Sequence, residues 1–515
     1  MIDFYNLPLN DKPTWDLISS GKTCGVFQLT GNFGSHFAKQ LAPENIEHLA
    51  ALGSVLRPGA LEAKIGNKSV TQLYCDRKNG REPVKYEFPI LEDILKTTEG
   101  LLVYQEQILS IANKIAGFTL EQSDSLRKAV GVKDVELMSK TEKAFLAGCE
   151  KTGLVTQEEA KAIFEQIRKS QRYLFNKSHA VAYGTLGYLT AYIKSNFPLE
   201  FFCANLEGAK ELQHPKEEIR ALVDDATQFN IEVKIPKLTD LSNETGFYIK
   251  DDKIYFGLSS IKGLGKAQLN NLINQIKEAE LVLSKRLHEI TWPEFLFNTN
   301  INKKVLSNLI SVGLLDNFNL PRKRMLYEQS LTEQLSLREI DFLKGKYWDS
   351  FRQSIDTLRI TPRSLGGPFS ETRKTIIDDI KKALDNPPYD LTDDLRWIYE
   401  QEHELLGCAI ACSKLDYRPS FGADTTCLEF SQGKTGKMIF EVEINDVREY
   451  TIKKGKSVGQ KMGFLSVKDN TGSMNCMIFA ENWENYKSIL YTGNTVTICG
   501  KPSKDALSIE VAAEI

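Results

Sequence analysis

No stretch of this chain is apolar and long enough to span a bilayer. Its least polar long run, Ala180 to Ile193, is interrupted by Tyr, Thr and Gly and is followed by Lys194. Met1 to Asn10 has neither the basic start nor the apolar core of a secretory signal. Both absences predict a cytoplasmic protein without membrane contact. A disulfide framework is missing as well: nine cysteines are scattered through 515 residues, an odd number in no paired pattern. Cys408 and Cys412 stand closest, yet no second Cys or His pair accompanies them at zinc spacing. The cysteines read as reduced, buried thiols. Internal repeats and low-complexity tracts are absent. So is a dominant charge: the formal net charge is −3, and any nucleic-acid surface must come from uneven distribution.

What is present is a globular composition, 42% apolar, on a chain long enough for three or four domains. Residues 1–206 carry mostly helical patterning. Ile108, Ile111, Ala112 and Ile115 follow the spacing of one buried helix face. Thr119-Leu-Glu-Gln122 and Thr156-Gln-Glu-Glu159 read as capping boxes, the second followed by Ile163, Phe164 and Ile167 as an apolar stripe. Residues 207–318 form a second, small α+β region, in which Asp251-Asp252 separates two β-like runs, Thr245 to Ile249 and Lys253 to Phe256. Residues 319–420 read as a helical connector, broken at Thr361 to Ser370 and at Asn386-Pro-Pro-Tyr389. In residues 437–515, five β-rich runs predict a small OB-fold barrel: Lys437 to Val447, Lys461 to Lys468, Met474 to Phe479, Thr495 to Gly500 and Ala506 to Val511. The fold class is therefore multidomain: mainly α-helical first, then small α+β, then all-β.

The chemistry concentrates between Arg168 and Leu199. This stretch holds Arg168, Lys169, Arg172, Lys177 and Lys194, with no Asp or Glu. Tyr173, Phe175, Tyr183, Tyr188 and Tyr192 are interleaved with them. Basic groups neutralise phosphates and aromatic faces accept stacked bases. A helix with a solvated basic edge over a tyrosine-rich core would give the same pattern.

Phe175-Asn-Lys-Ser-His179, followed by Ala182-Tyr183, resembles the fingers motif of bacterial C-family replicative polymerases, the DNA polymerase III alpha subunits. Gly25-Val-Phe-Gln-Leu29, Leu56-Arg-Pro-Gly59, Asp76-Arg-Lys-Asn-Gly-Arg81, Val103-Tyr-Gln-Glu-Gln107 and Leu126-Arg-Lys-Ala-Val-Gly131 occur in the same family order. The resemblance implies that Arg127, Lys128, Lys177 and His179 face the triphosphate of an incoming deoxynucleotide, where cations offset developing charge. Asn176 would fix the loop or bind a phosphate oxygen, and Tyr183 would pack on sugar or base. Arg57 and Arg77 read as template contacts or as structural ion pairs.

Family members hold two Mg2+ ions on acidic palm residues, two of them in an Asp-x-Asp pair upstream of the fingers. No Asp-x-Asp occurs in the first two hundred residues, and Leu7-Pro-Leu-Asn-Asp11 matches the family segment that follows the palm. Asp3, Asp11 and Asp16 read as surface or capping acids. Gly21-Lys22-Thr23 is not a P-loop, because Asp16 stands where the first glycine is required. The expectation is a split DNA-directed DNA polymerase, inactive alone, in a bacterial or phage-infected cell. A separate palm polypeptide would supply the Mg2+ site, with primer-template DNA and deoxynucleoside triphosphates as ligands. A non-catalytic, polymerase-derived DNA-binding scaffold is the alternative.

Further along, Ile261-Lys-Gly-Leu-Gly265 resembles a helix-hairpin-helix turn, with Lys262, Gly263, Gly265 and Lys266 as DNA-backbone contacts. Gln334-Leu-Ser-Leu337 resembles the start of a sliding-clamp peptide, with Gln334, Leu335 and Leu337 as its contacts. Arg338 replaces the usual terminal aromatic, and an amphipathic helix accounts for the same residues. In the barrel, Lys453, Lys454, Lys456 and Lys461 cluster near Phe464 and Trp483 as a single-strand surface. Phe440 and Phe479 are expected in the barrel core.

Overall fold

A computed structural model of the chain describes all residues except 1–2, 4–5, 133–134, 241–245, 453–456 and 504–505. It divides into two compact units, Met1–Phe201 and Phe202–Ile515. Among the described residues no helix is long and apolar enough to cross a membrane. No disulfide joins any of the nine cysteines, and burial pushes the Cys75 and Cys408 thiols up to about 12.

The first unit is helical. Its main helices are α1 (Lys12–Ser20), α2 (Gly31–Leu41), α3 (Ile46–Val55), α4 (Gln105–Ala116), α5 (Leu120–Val132), α6 (Val135–Thr152), α7 (Gln157–Ser170) and α8 (Lys177–Asn196). The expected face of α4 is buried, and α7 adds Ile163, Phe164 and Ile167 to the same core. Both capping boxes form. Thr119 N–H donates to Gln122 Oε1 at 2.9 Å, and Thr156 N–H donates to Glu159 Oε2 at 2.8 Å. Each satisfies donors that a helix start would otherwise leave open.

Helix α8 packs on α3 through small residues. A Cβ on Gly184 would stand 3.1 Å from the Ala50 nitrogen, and one on Gly187 would stand 3.2 Å from the Phe27 carbonyl. Glycine is required here for close approach, not for backbone freedom. On the same face Tyr188 is fully buried; its hydroxyl donates to the Pro8 carbonyl at 2.5 Å and its ring lies 4.7 Å from Trp15. Lys194, read as part of a basic surface, is instead fully buried. Its ammonium donates to the carbonyls of Lys22 (2.9 Å) and Cys24 (2.7 Å).

In the second unit α9 (Pro215–Thr227) precedes a three-stranded sheet. Its strands are β1 (Val233–Lys234), β2 (Tyr248–Lys250) and β3 (Lys253–Tyr255), with β3 central. The hairpin turn is made as expected by Asp251 and Asp252, both in the left-handed region that a two-residue hairpin loop demands. Thr245 lies outside the described residues, and the short parallel partner β1 had no period to announce it. Further helices are α10 (Lys266–Leu283), α11 (Lys303–Ser311), α12 (Leu337–Leu343), α13 (Phe351–Ile360), α14 (Glu371–Asp385) and α15 (Leu395–Leu406). Breaks in the connector fall at the two expected places, between α13 and α14 and between α14 and α15.

The C-terminal strands are β4 (Met438–Thr451), β5 (Lys461–Asp469), β6 (Gly472–Ile478), β7 (Thr495–Ser503) and β8 (Ala506–Glu514). They close into a barrel of order β8-β6-β5-β4-β7. Closure runs through a short parallel pairing of β8 with β6, at Leu507 opposite Cys476 and Ser508 opposite Met477. Phe440 fills the core, but Phe479 is half exposed, because it caps the short helix after β6 from outside the barrel. Ion pairs tie the barrel to α9: Arg220 to Glu443 at 2.8 Å and Lys468 to Asp224 at 2.7 Å.

Candidate nucleotide and nucleic-acid sites

A cavity of about 320 Å3 opens in the first unit. It lies between the loop before α2, the end of α3 and the first half of α8. Phe27, Phe33, Phe175 and Tyr183 give it aromatic walls; Gln28, Arg57 and His179 give it polar ones. The His179 ring stacks at 4.0 Å on Tyr183 and lies edge-on to Phe175 at 5.3 Å. Both His179 and Tyr183 are exposed. Arg57 lies with its guanidinium 4.1 Å over the Phe175 ring and donates to the carbonyls of Ser54 (2.9 Å) and Tyr173 (2.7 Å). Burial lowers its pKa. Arg57 thus builds the wall rather than reaching outward.

The start of α8 is fixed by an unusual pairing of two helix N-termini. Phe175 N–H donates to the Val103 carbonyl (2.9 Å), and Gln105 N–H donates to the Phe175 carbonyl (2.8 Å). This parallel bridge sets the first turns of α4 and α8 side by side. Gln107 Oε1 then accepts from the Val103 and Tyr104 amides, both at 2.9 Å, capping α4. Glu106 caps the neighbour: it accepts from Asn176 Nδ2 and from the Lys177 amide, both at 2.9 Å. Asn176 Oδ1 accepts from the His179 amide at 2.8 Å. Lys177 Nζ lies 3.0 Å from Glu47 and 5.7 Å from the Tyr104 ring centre.

Of the six residues read as nucleotide contacts, His179 and Tyr183 line the cavity, while Asn176 and Lys177 stand beside it at the head of α8. Arg127 and Lys128 do not line it. They sit on α5 and pair with Asp124, at 2.8 and 3.0 Å. Tyr173, counted among the stacking aromatics, is buried. Arg77 lies in the last turn of the helix Val70–Lys78 and donates to the Glu99 carbonyl at 2.8 Å. Sequence reasoning passed over Gln28, Phe33 and Glu106. Gln28 has a left-handed backbone (φ 62°) at the cavity rim, which no periodicity announces.

In the second unit Gly263 takes the left-handed backbone (φ 86°) that its turn requires, and Gly265 precedes α10 without a side-chain cap. Lys266 is exposed at the head of that helix. Lys262 pairs with Glu404 at 3.1 Å, and its carbonyl accepts from Asn308 at 2.6 Å. On the barrel Phe464 is exposed, with Tyr450 edge-on at 6.2 Å. Lys461 pairs with Glu449 at 2.6 Å, and Trp483 is buried. Lys453, Lys454 and Lys456 lie outside the described residues.

The sliding-clamp reading of residues 334–337 needs correction. Leu335 is buried in the connector core, and Arg373 donates to the Gln334 carbonyl at 2.7 Å. Ser336 and Glu339 form the capping box of α12, and of the three residues read as clamp contacts Gln334 and Leu337 are exposed while Leu335 is not. This is a helix start, not a free peptide. The acids near the N-terminus also behave as ordinary acids. Asp11 caps α1 through the Thr14 amide, and Asp16 pairs with Lys12 at 2.5 Å. Among the described residues no group of His, Cys, Asp and Glu is arranged to hold a metal ion.

Comparison with known proteins matches three regions. Residues 1–153 fit the bacterial DNA polymerase III alpha subunit finger domain, residues 230–325 a helix-hairpin-helix motif, and residues 439–514 an OB-fold nucleic acid binding domain. The DNA polymerase III subunit alpha of Aquifex aeolicus is 29% identical over 98% of this chain and 38% of its own length. That of Thermus aquaticus is 31% identical over 94% of this chain and 36% of its own. For Pseudomonas aeruginosa the figures are 29%, 98% and 42%. The chain thus spans well under half the length of these relatives. Nearly all of it aligns with them, and its three recognised regions follow the order fingers, helix-hairpin-helix and OB-fold, so the chain is similar along its length to bacterial DNA polymerase III alpha subunits.

Proposed function

We propose that this chain holds the incoming deoxynucleoside triphosphate and the primer-template DNA of a DNA-directed DNA polymerase. The carrying observation is the cavity in which His179, Tyr183 and Phe175 meet, with Lys177 at the adjoining head of α8. Aromatic walls suit a base or sugar, and a neighbouring ammonium suits a triphosphate. Lys177 and His179 would orient and neutralise phosphates, and Tyr183 would pack on the nucleoside. Lys266 with the turn at Gly263 and Gly265 would hold the duplex backbone without reading sequence. Phe464 would stack single-stranded template.

In this reading Mg2+ is held by palm aspartates outside these 515 residues, on a separate palm polypeptide. The test is Mg2+-dependent primer extension with the chain alone and with proteins co-purified from its source. Extension only in the complex, abolished when the partner's palm acids are changed, supports the reading. Extension by the chain alone overturns the separate palm. DNA binding without extension in either case favours a scaffold.

A further inference from the structure

The head of a long helix is ordinarily a ready anion site, because its first amides have no partner. At α8 that opportunity is closed. The Lys177 amide is taken by Glu106 and the His179 amide by Asn176. A phosphate arriving here would find side chains rather than free amides, so what matters is where the Lys177 side chain points. Resting on the function proposed above, we propose that Glu106 and Asn176 are positioning residues that set Lys177 toward the triphosphate, and that neither touches it.

The hydrogen-bond polarity makes the idea specific. Glu106 offers two acceptors, one to Asn176 Nδ2 and one to the Lys177 amide, both at 2.9 Å. Asn176 cannot turn its amide over, because Oδ1 is committed to His179 at 2.8 Å. A glutamine at 106 has one acceptor and one donor, so it would set one NH2 against another or lose the amide of Lys177. An aspartate at 176 would keep the cap but face the Glu106 carboxylate with a second one. Together the two changes restore complementarity: the glutamine donates to the aspartate and still accepts from the Lys177 amide. The local net charge is then that of the starting protein. The parallel bridge at Phe175 holds both helix heads in register and would be untouched by the exchange.

The test titrates the full chain, with its palm partner where that is needed for binding, with dATP and Mg2+ by calorimetry, alongside thermal unfolding. Glu106→Gln and Asn176→Asp are each expected to weaken binding about tenfold, the scale of one charge-assisted hydrogen bond. The double variant is expected to return to within about threefold of the unaltered protein, a recovery expected of the restored polarity. Single variants that bind normally would overturn the inference, as would a double variant no better than the singles. Lys177→Ala separates the two levels. If it binds dATP as tightly as the unaltered chain, or if the unaltered chain does not bind at all, the nucleotide reading itself falls.

Discussion

Lys177 Nζ stands 3.0 Å from the Glu47 carboxylate, an ion pair that joins the head of α8 to the first turn of α3. Both side chains are partly exposed, at 33% and 46%. The pair is therefore weak, below about 1 kcal/mol, and a polyanion of higher charge can displace it. Glu47 then acts as a resident competitor for the ammonium. Glu47→Gln should tighten dATP binding about two- to fivefold, with the gain shrinking as salt is raised. Calorimetry at two ionic strengths checks this, and weaker binding in the variant would contradict it.

Removing the ammonium itself should separate two ligands. Lys177→Ala is expected to lower dATP affinity about tenfold or more while leaving duplex binding within about twofold, since the duplex contacts are proposed in the other unit. Parallel titrations with dATP and a primer-template duplex provide the measure. Equal losses of both would remove Lys177 from the pocket.

Lys194 offers a stability test. Its buried ammonium serves two carbonyls of the loop that leads into the cavity wall. Lys194→Met keeps the apolar stem but strands both acceptors, at a cost of about 2–4 kcal/mol. Urea denaturation should show this as a lower midpoint, and dATP binding should weaken with it. An unchanged midpoint would mean the carbonyls find other donors.

On the barrel, surface and core aromatics should behave oppositely. Phe464→Ala and Tyr450→Ala should each weaken binding to single-stranded oligonucleotide by about 1–3 kcal/mol, with little change in melting temperature. Trp483→Ala should instead destabilise, by about 3–5 kcal/mol, because the indole is buried beside Gly463, where a Cβ would meet the ring at 2.4 Å. Fluorescence anisotropy and thermal melts together distinguish the two classes.

The sequence carried the periodic and capped elements well. The Thr119 and Thr156 boxes, the α4 face and all five barrel strands are signals spelled in neighbouring residues, so local reading reaches them. Lys194 and Tyr188 were misjudged because their partners, Lys22, Cys24 and Pro8, lie more than 150 residues away in the chain. Glu106 escaped for a related reason: it stands at the head of α4, but the helix it caps is α8, some 70 residues further along the chain. Phe479 is out of phase with the core positions Met474, Cys476 and Ile478 and falls one step beyond the end of β6, where the chain has already left the barrel. Leu335 looked like half of a displayed leucine pair, and only the packing of the connector shows that it is enclosed.

The joint between β8 and β6 bears on how the C-terminal region comes apart. Every other neighbouring pair in that barrel is antiparallel and runs over six residue pairs or more, whereas among the described residues β8 pairs with β6 only at Leu507 and Ser508. Opening there breaks few ladder hydrogen bonds, although Leu507 and Cys476 are buried in the barrel core, so the ring is expected to open first at this seam. Amide exchange should therefore begin in this part of β8 before it reaches β4 and β5. An opened ring would present two unpaired strand margins, the kind of surface to which an extended peptide or a second copy of the strand adds itself.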